Sequence, residues 1–173
     1  MVKEKTSTAH KILTIVGTVL CIILIPILLI NLTLIAKSYI NKDEVPSIGG
    51  TLPLIVLTDS MYPEIESGDL IICRTAEADE IEVNDIISFF DPAGNGTSIV
   101  THRVIEIVEE DGEILFRTRG DYNNTEDKEL VPAENLVGIY KMRIAGAGHI
   151  AMFMQSTAGL IACVVLPIIL LVG

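Results

Sequence analysis

Residues Ile99 to Arg119 read IVTHRVIEIVEEDGEILFRTR, and this stretch decides the fold. Apolar and β-branched residues recur on both sides of Asp111-Gly112, a dipeptide that accepts the positive φ angles of a tight hairpin turn. Two strands are therefore expected, Ile99–Val108 and Glu113–Arg119, joined by that turn. The same texture continues outward. Upstream, Thr51–Leu57 is apolar and β-branched and follows Gly49-Gly50. Asp69–Arg74 and Val83–Phe90 are further short apolar runs, the latter stopped by Asp91-Pro92 and by Gly94-Asn95-Gly96. Downstream, Asn135–Ile144 reads as a closing strand. No helix-period pattern, internal repeat or low-complexity linker intervenes. The middle of the chain is thus expected to be a compact β domain of about 110 residues, large enough to bury its own core.

The two ends differ in kind. Half of the 173 residues are hydrophobic, and the excess lies in two runs. Ile12–Ala36 carries no charged side chain and exceeds the roughly 20 apolar residues that cross a bilayer. It is also too long for the core of a cleavable signal peptide, about 7–15 residues, so an uncleaved transmembrane anchor is expected. Pro26 is tolerable inside such a helix. Ile150–Val172 starts weakly at Gln155-Ser156-Thr157 but is strongly apolar from Ala158, and a second transmembrane helix is expected there. Lys3, Lys5 and Lys11 precede the first run and Lys37 and Lys42 follow it, a mild bias toward a cytoplasmic N-terminus. The expected organisation is residues 1–37 as cytoplasmic N-terminus and anchor, 38–149 as an extracytoplasmic β domain, and 150–173 as the second helix.

Net charge is −11. Nearly all acidic residues fall between Ser38 and His149, which excludes nucleic acid as a natural partner. Most of these charges solvate a surface. Cys21 and Cys163 lie in the apolar runs and Cys73 in a strand pattern. Their spacing suggests neither a disulfide framework nor a metal site, and Cys73 reads as a small buried hydrophobe.

Three polar positions stand out as chemistry. Ser60, in Thr58-Asp59-Ser60-Met61-Tyr62-Pro63, directly follows an apolar strand. Pro63 restricts its own φ and the conformation of Tyr62, so the mount is stiff. A turn serine bonding its own backbone is the plain alternative. His102 is the only histidine in the middle of the domain, whereas His10 and His149 flank the apolar runs and read as interfacial. Serine needs a base to become a nucleophile, and histidine suits that role. An ordinary strand histidine is the plain alternative. Asp121 and Asp127 lie in RGDYNNTED, Arg119 to Asp127, where a carboxylate can orient an imidazole. A polar turn explains the same composition. Calcium is disfavoured, because the spacing does not match an EF-hand loop.

The ordered set resembles the signal peptidase I family. Ser60-Met61-x-Pro63 followed by Gly68-Asp69-Leu70-Ile71 resembles its nucleophile segment, Thr101-His102-Arg103-Val104 its base segment, and Gly120-Asp121-x-Asn123 with Asp127 its acidic segment. The resemblance covers Leu54 to Tyr140. His102, with no lysine at that point, places the chain in the histidine branch, found in the endoplasmic reticulum complex, in archaea and in some Gram-positive bacteria. The resemblance implies a β-barrel-like catalytic domain in the cell membrane or endoplasmic reticulum membrane, and a membrane-bound serine endopeptidase. Its substrates would be secretory preproteins, its neighbours the lipid bilayer and the secretion translocon, and it would use no cofactor. Ser60 would attack, His102 would be the general base, and the Ser60 N–H with the Thr58 hydroxyl would receive the oxyanion. Met61 would line a side-chain pocket. Asp127 is expected to orient His102 and Asp121 to hold the loop, pairing with Arg103 or Arg119. One departure is Asp59, where the family often has glycine; a carboxylate there would raise the pKa of His102 or alter the cleft. The alternatives are a non-enzymatic membrane-tethered β module and a protease of the same superfamily dedicated to one partner.

Overall fold

The computed structural model describes residues 8–40, 45, 47–94, 96–165 and 169. Contacts divide the chain into two units, Val45–His149 and a second formed by residues 1–44 and 150–173.

In the first unit the short apolar runs become seven strands. They are β1 (Thr51–Ile55), β2 (Leu70–Arg74), β3 (Ile86–Phe90), β4 (Ile99–Glu110), β5 (Glu113–Arg119), β6 (Val131–Pro132) and β7 (Leu136–Ile144). All pairings are antiparallel, in the order β1-β2-β7-β3-β4-β5-β6. The sheet is a curled half-barrel with β1 and β6 at its edges. Asp111 and Gly112 take φ of 52° and 85° and close the β4–β5 hairpin. β4 runs to Glu110, two residues beyond its apolar pattern, because the exposed hairpin end still pairs Glu109 with Ile114 and Glu110 with Glu113. β1 stops at Ile55, short of Leu57. Beyond it Val56 leaves the ladder, donating to the carbonyl of Asp69 at 3.0 Å and accepting from Gly68 at 2.8 Å. β3 starts at Ile86 rather than Val83, since Asn84 adopts φ 81° in the preceding turn. The two-residue β6 has no periodicity to betray it in the sequence.

Two apolar cores lie against the sheet. Leu52, Met61, Ile65, Ile71, Cys73, Ile86 and Val137 form one, and Ile81, Ile87, Phe89, Val104, Phe116, Val131 and Ile139 the other. Alternate residues of β3 feed alternate cores, which is why its apolar run is continuous rather than alternating. Cys73 is fully buried, as a small hydrophobe.

In the second unit, α1 (Thr8–Ile40) is a helix of 33 residues containing Pro26. Its exposed residues include Ile12, Ile15, Val16, Val19, Ile22, Ile23, Ile25, Leu29 and Ile30. The second apolar run is not one helix. α2 (Ala147–Gln155) starts inside the first unit and ends before Ser156, whose hydroxyl caps α3 (Thr157–Leu160) by accepting from Gly159 N–H at 3.1 Å. A π-turn, Ile161–Val165, follows. Among the described residues no helix is long and apolar enough to cross a membrane. Much of the expected evidence for the anchors lies outside those residues: Lys3, Lys5, Lys42, most of 166–173, and the side chains of His10, Lys37 and Cys163.

Candidate active site

Ser60 sits in a loop, residues 56–69, that leaves β1 and returns as β2. The loop is closed by its own polar groups. Tyr62 N–H donates to the Asp59 carbonyl at 3.1 Å, and Ile65 N–H to the Met61 carbonyl at 3.0 Å. Two carboxylates cap further backbone groups: Asp59 accepts from Ser67 N–H at 2.8 Å and Asp69 from Glu66 N–H at 3.0 Å. Met61 and Ile65 plug the loop into the first core. Asp59, the departure noted in the sequence, therefore spends its carboxylate on Ser67.

Asp69 is buried and also accepts from Gly146 N–H at 2.9 Å and Arg143 Nη1 at 3.1 Å. Burial alone would raise its pKa, but the Glu66 and Gly146 amides and the Arg143 guanidinium outweigh it and hold the carboxyl below its ordinary value. The end of β7 is thereby tied to the end of the Ser60 loop. Gly148 fits against the Gly68 and Asp69 carbonyls, and His149 packs its ring on Gly68 while donating its N–H to the Gly68 carbonyl at 3.1 Å. His149 is thus part of this junction.

His102 comes from β4, where it pairs with Ile87 of β3. Its side chain is largely buried, and its ring meets Phe89 edge-on at 6.3 Å. Nδ1–H donates to Asp127 Oδ2 at 2.6 Å. Thr118 of β5 donates its hydroxyl to the same oxygen at 2.7 Å, and Asp127 N–H donates to the Thr118 carbonyl at 2.9 Å. Burial acts to raise the Asp127 pKa; the bonds from His102 and Thr118 reverse this, and the carboxyl titrates below its ordinary value. With Asp127 ionised and Nδ1 carrying the hydrogen, Nε2 of His102 is left as a proton acceptor.

Asp121 has a different partner. Both of its oxygens accept from Arg103, at 2.8 Å from Nε and 2.6 Å from Nη2, in a bidentate pair. Arg103 also donates to the Asn84 carbonyl at 2.9 Å. The loop carrying Asp121 touches the serine directly, for Tyr122 N–H donates to the Ser60 carbonyl at 2.9 Å. Gly120 makes this approach possible: a Cβ there would stand 2.6 Å from the Ser60 carbonyl oxygen.

Ser60 and His102 line one groove of about 610 Å³. One wall is Leu54–Thr58, the other Thr97 and Ile99–His102, with Met61, Ile65, Ile71 and Asn123 completing it. Thr58 and Ser60 hydroxyls are 3.4 Å apart. The β1 wall is a sheet edge. Residues 99–102 of β4 pair with β3, while pairing to β5 begins only at Arg103, so among the described residues no strand pairs with the other side of this wall. Of the residues marked out in the sequence, the structure gathers Ser60, His102, Thr58 and Met61 at the groove, with Asp127 behind His102 and Asp121 on Arg103. Thr118 and Arg143 carried no motif that marked them, and Asp69 stood in the Gly68-Asp69-Leu70-Ile71 block with no role assigned to its carboxylate. Among the described residues no cluster suits a metal ion.

A serine and a carboxylate-backed histidine at one groove in a β domain form a constellation able to perform acyl transfer. Comparison with known proteins narrows the class. Signal peptidase I W of Bacillus subtilis is 33% identical over 114 residues, 65% of this chain and 58% of the relative. The human signal peptidase complex catalytic subunit SEC11C is 35% identical over 105 residues, 58% of this chain and 54% of the relative. The corresponding sec11 subunit of Schizosaccharomyces pombe is 29% identical over 110 residues, 55% of each. These signal peptidases are homologues of the chain, which spans just over half the length of each. No protein-family model matches.

Proposed function

We propose that the protein is a signal peptidase, a serine endopeptidase that removes signal peptides from secretory preproteins. The observation that carries this reading is the placement of Ser60 and His102 on one groove with Asp127 on His102 Nδ1.

An extended peptide would enter as a strand between the edges of β1 and β4, its small side chains facing the apolar wall. Ser60 Oγ attacks the scissile carbonyl and forms a C–O bond while His102 Nε2 takes the hydroxyl proton. The Ser60 N–H and the Thr58 hydroxyl donate to the oxyanion. Collapse breaks the C–N bond, and the imidazolium returns the proton to the leaving amine. Water, deprotonated by His102, then hydrolyses the acyl ester and frees Ser60. Asp127 holds the ring and stabilises its charged form, and Thr118 holds Asp127. Asp121 works through Arg103 to keep the loop against Ser60.

α1 acts as an uncleaved anchor in this reading, and the distal apolar run as a second. This part of the reading rests on the sequence, where Ile12–Ala36 is uncharged over more than the roughly 20 residues that cross a bilayer. The β domain then lies on the non-cytoplasmic side of a cell or endoplasmic reticulum membrane, beside the translocon, where substrate shares the bilayer. The test is cleavage of a model preprotein by the full chain in detergent and vesicles. Wild type should release the mature product and Ser60→Ala should not; equal cleavage by a folded Ser60→Ala protein would defeat the reading.

A further inference from the structure

Two exposed tyrosines stand beside Ser60 outside the groove. Tyr62 and Tyr122 meet edge to face, ring centroids 5.7 Å apart and planes at 83°. They are 47% and 67% exposed, large values for rings in mutual contact. Neither belongs to the groove walls, although Ser60, Met61 and Asn123 do. Their backbones are fixed to the nucleophile: Tyr62 N–H bonds the Asp59 carbonyl and Tyr122 N–H the Ser60 carbonyl. The pair is therefore a rigid aromatic corner built at the serine.

Resting on the signal peptidase reading, we propose that Tyr62 and Tyr122 form the subsite for the first residues downstream of the cut, and that it prefers a basic side chain. The acyl half of an extended substrate fills the groove. The amine half must leave it at Ser60 and run over whatever stands there. An edge-to-face pair offers a ring face to the stem and charge of a Lys or Arg side chain. The local charge has the matching sign. Asp59 and Glu64 flank Tyr62 in the chain and are exposed, while Arg103 is already committed to Asp121.

The experiment uses the full chain and a model preprotein with Lys, Ala or Glu at the first and second positions after the cut. Wild type should process the Lys substrate about two- to fivefold more efficiently than the Glu substrate, by kcat/KM. Tyr62→Ala and Tyr122→Ala should each compress that ratio toward one, while the ratio between Ala and Leu immediately before the cut stays as in wild type. A Lys-to-Glu ratio near one in wild type, or variants that keep the wild-type ratio, would overturn the assignment. So would an equal loss on all substrates seen only in vesicles, which would place the rings on lipid. Failure of wild type to cut even the Ala substrate would instead strike the underlying reading of the protein as a peptidase.

Discussion

The two halves of the site are held by different means. Ser60 stands on a loop whose shape comes from backbone groups: amide to carbonyl, amide to the Asp59 and Asp69 carboxylates, and the Tyr122 amide on its own carbonyl. His102 stands on a central strand, and its ring is aimed by one chain of side-chain bonds, Thr118 to Asp127 to Nδ1. A mount held at many points tolerates the loss of most single side chains and fails where atoms intrude. A side-chain-built mount fails when a single partner loses its charge or hydroxyl. Substitutions can therefore be sorted by half.

The largest effects fall on the reacting groups. Ser60→Ala should lower turnover by on the order of 10⁶, and His102→Ala comparably, with Ser67→Ala as an active control. Acidification should slow wild type, because a protonated His102 accepts no proton. The neighbouring aspartates then separate the halves. Asp127→Asn should lower kcat about 10⁴-fold at a cost of only a few degrees in melting temperature, since the imidazole loses its orienting charge. Asp121→Asn weakens a bidentate pair that braces a loop, so it should lower melting temperature together with activity. A stable but inactive Asp121→Asn beside an active Asp127→Asn would reverse their roles.

A glycine sharpens the contrast on the nucleophile side. Gly120→Ala adds one methyl group, yet that carbon would lie 2.6 Å from the Ser60 carbonyl, far inside contact distance. The loop or the serine must move, and a displacement near 1 Å costs about 10²-fold in rate. Single-turnover cleavage by Gly120→Ala should show that loss without a shift in the pH profile, because the His102–Asp127 pair is untouched.

What the sequence displays follows from range. The hairpin Ile99–Arg119 is legible because its pairing is local and its turn has a dipeptide signature. The other four strand runs, β1, β2, β3 and β7, are visible as short apolar stretches bounded by turn residues, and their ends move by a few residues where Val56 and Asn84 leave the ladder. Ser60, His102 and the two aspartates stand in motifs, so their candidacy is legible too. Their partners are not. Thr118 lies on β5, nine residues before Asp127 in the following loop, and Arg143 lies 74 residues from Asp69. Nothing in a linear pattern marks a threonine whose value lies in reaching a carboxylate on the loop that folds back over its strand. The polar triplet Gln155-Ser156-Thr157 shows where the second apolar run weakens, but not that Ser156 caps a new helix there.

The smallest expected effect tests the junction behind the nucleophile loop. Asp69 in its charged form accepts from two backbone amides and Arg143, and its pKa lies below the ordinary value of 3.8. A carboxyl with a depressed folded-state pKa contributes stability that is complete above its unfolded pKa and is lost as pH falls through the folded one. Stability should therefore hold near neutrality and decline below about pH 4, with Asp127 adding to the same slope. Asp69→Asn keeps a carbonyl acceptor but not the charge that Arg143 meets. It should lower the melting temperature at pH 7 by a few degrees, the scale of a loss near 1 kcal/mol in a domain of this size. The gap between variant and wild type should narrow as pH falls and the wild-type carboxyl itself protonates. Thermal melts of both proteins from pH 7 to pH 3 measure this. A gap that stays constant with pH would mean that shape rather than charge at position 69 holds β7 to the Ser60 loop.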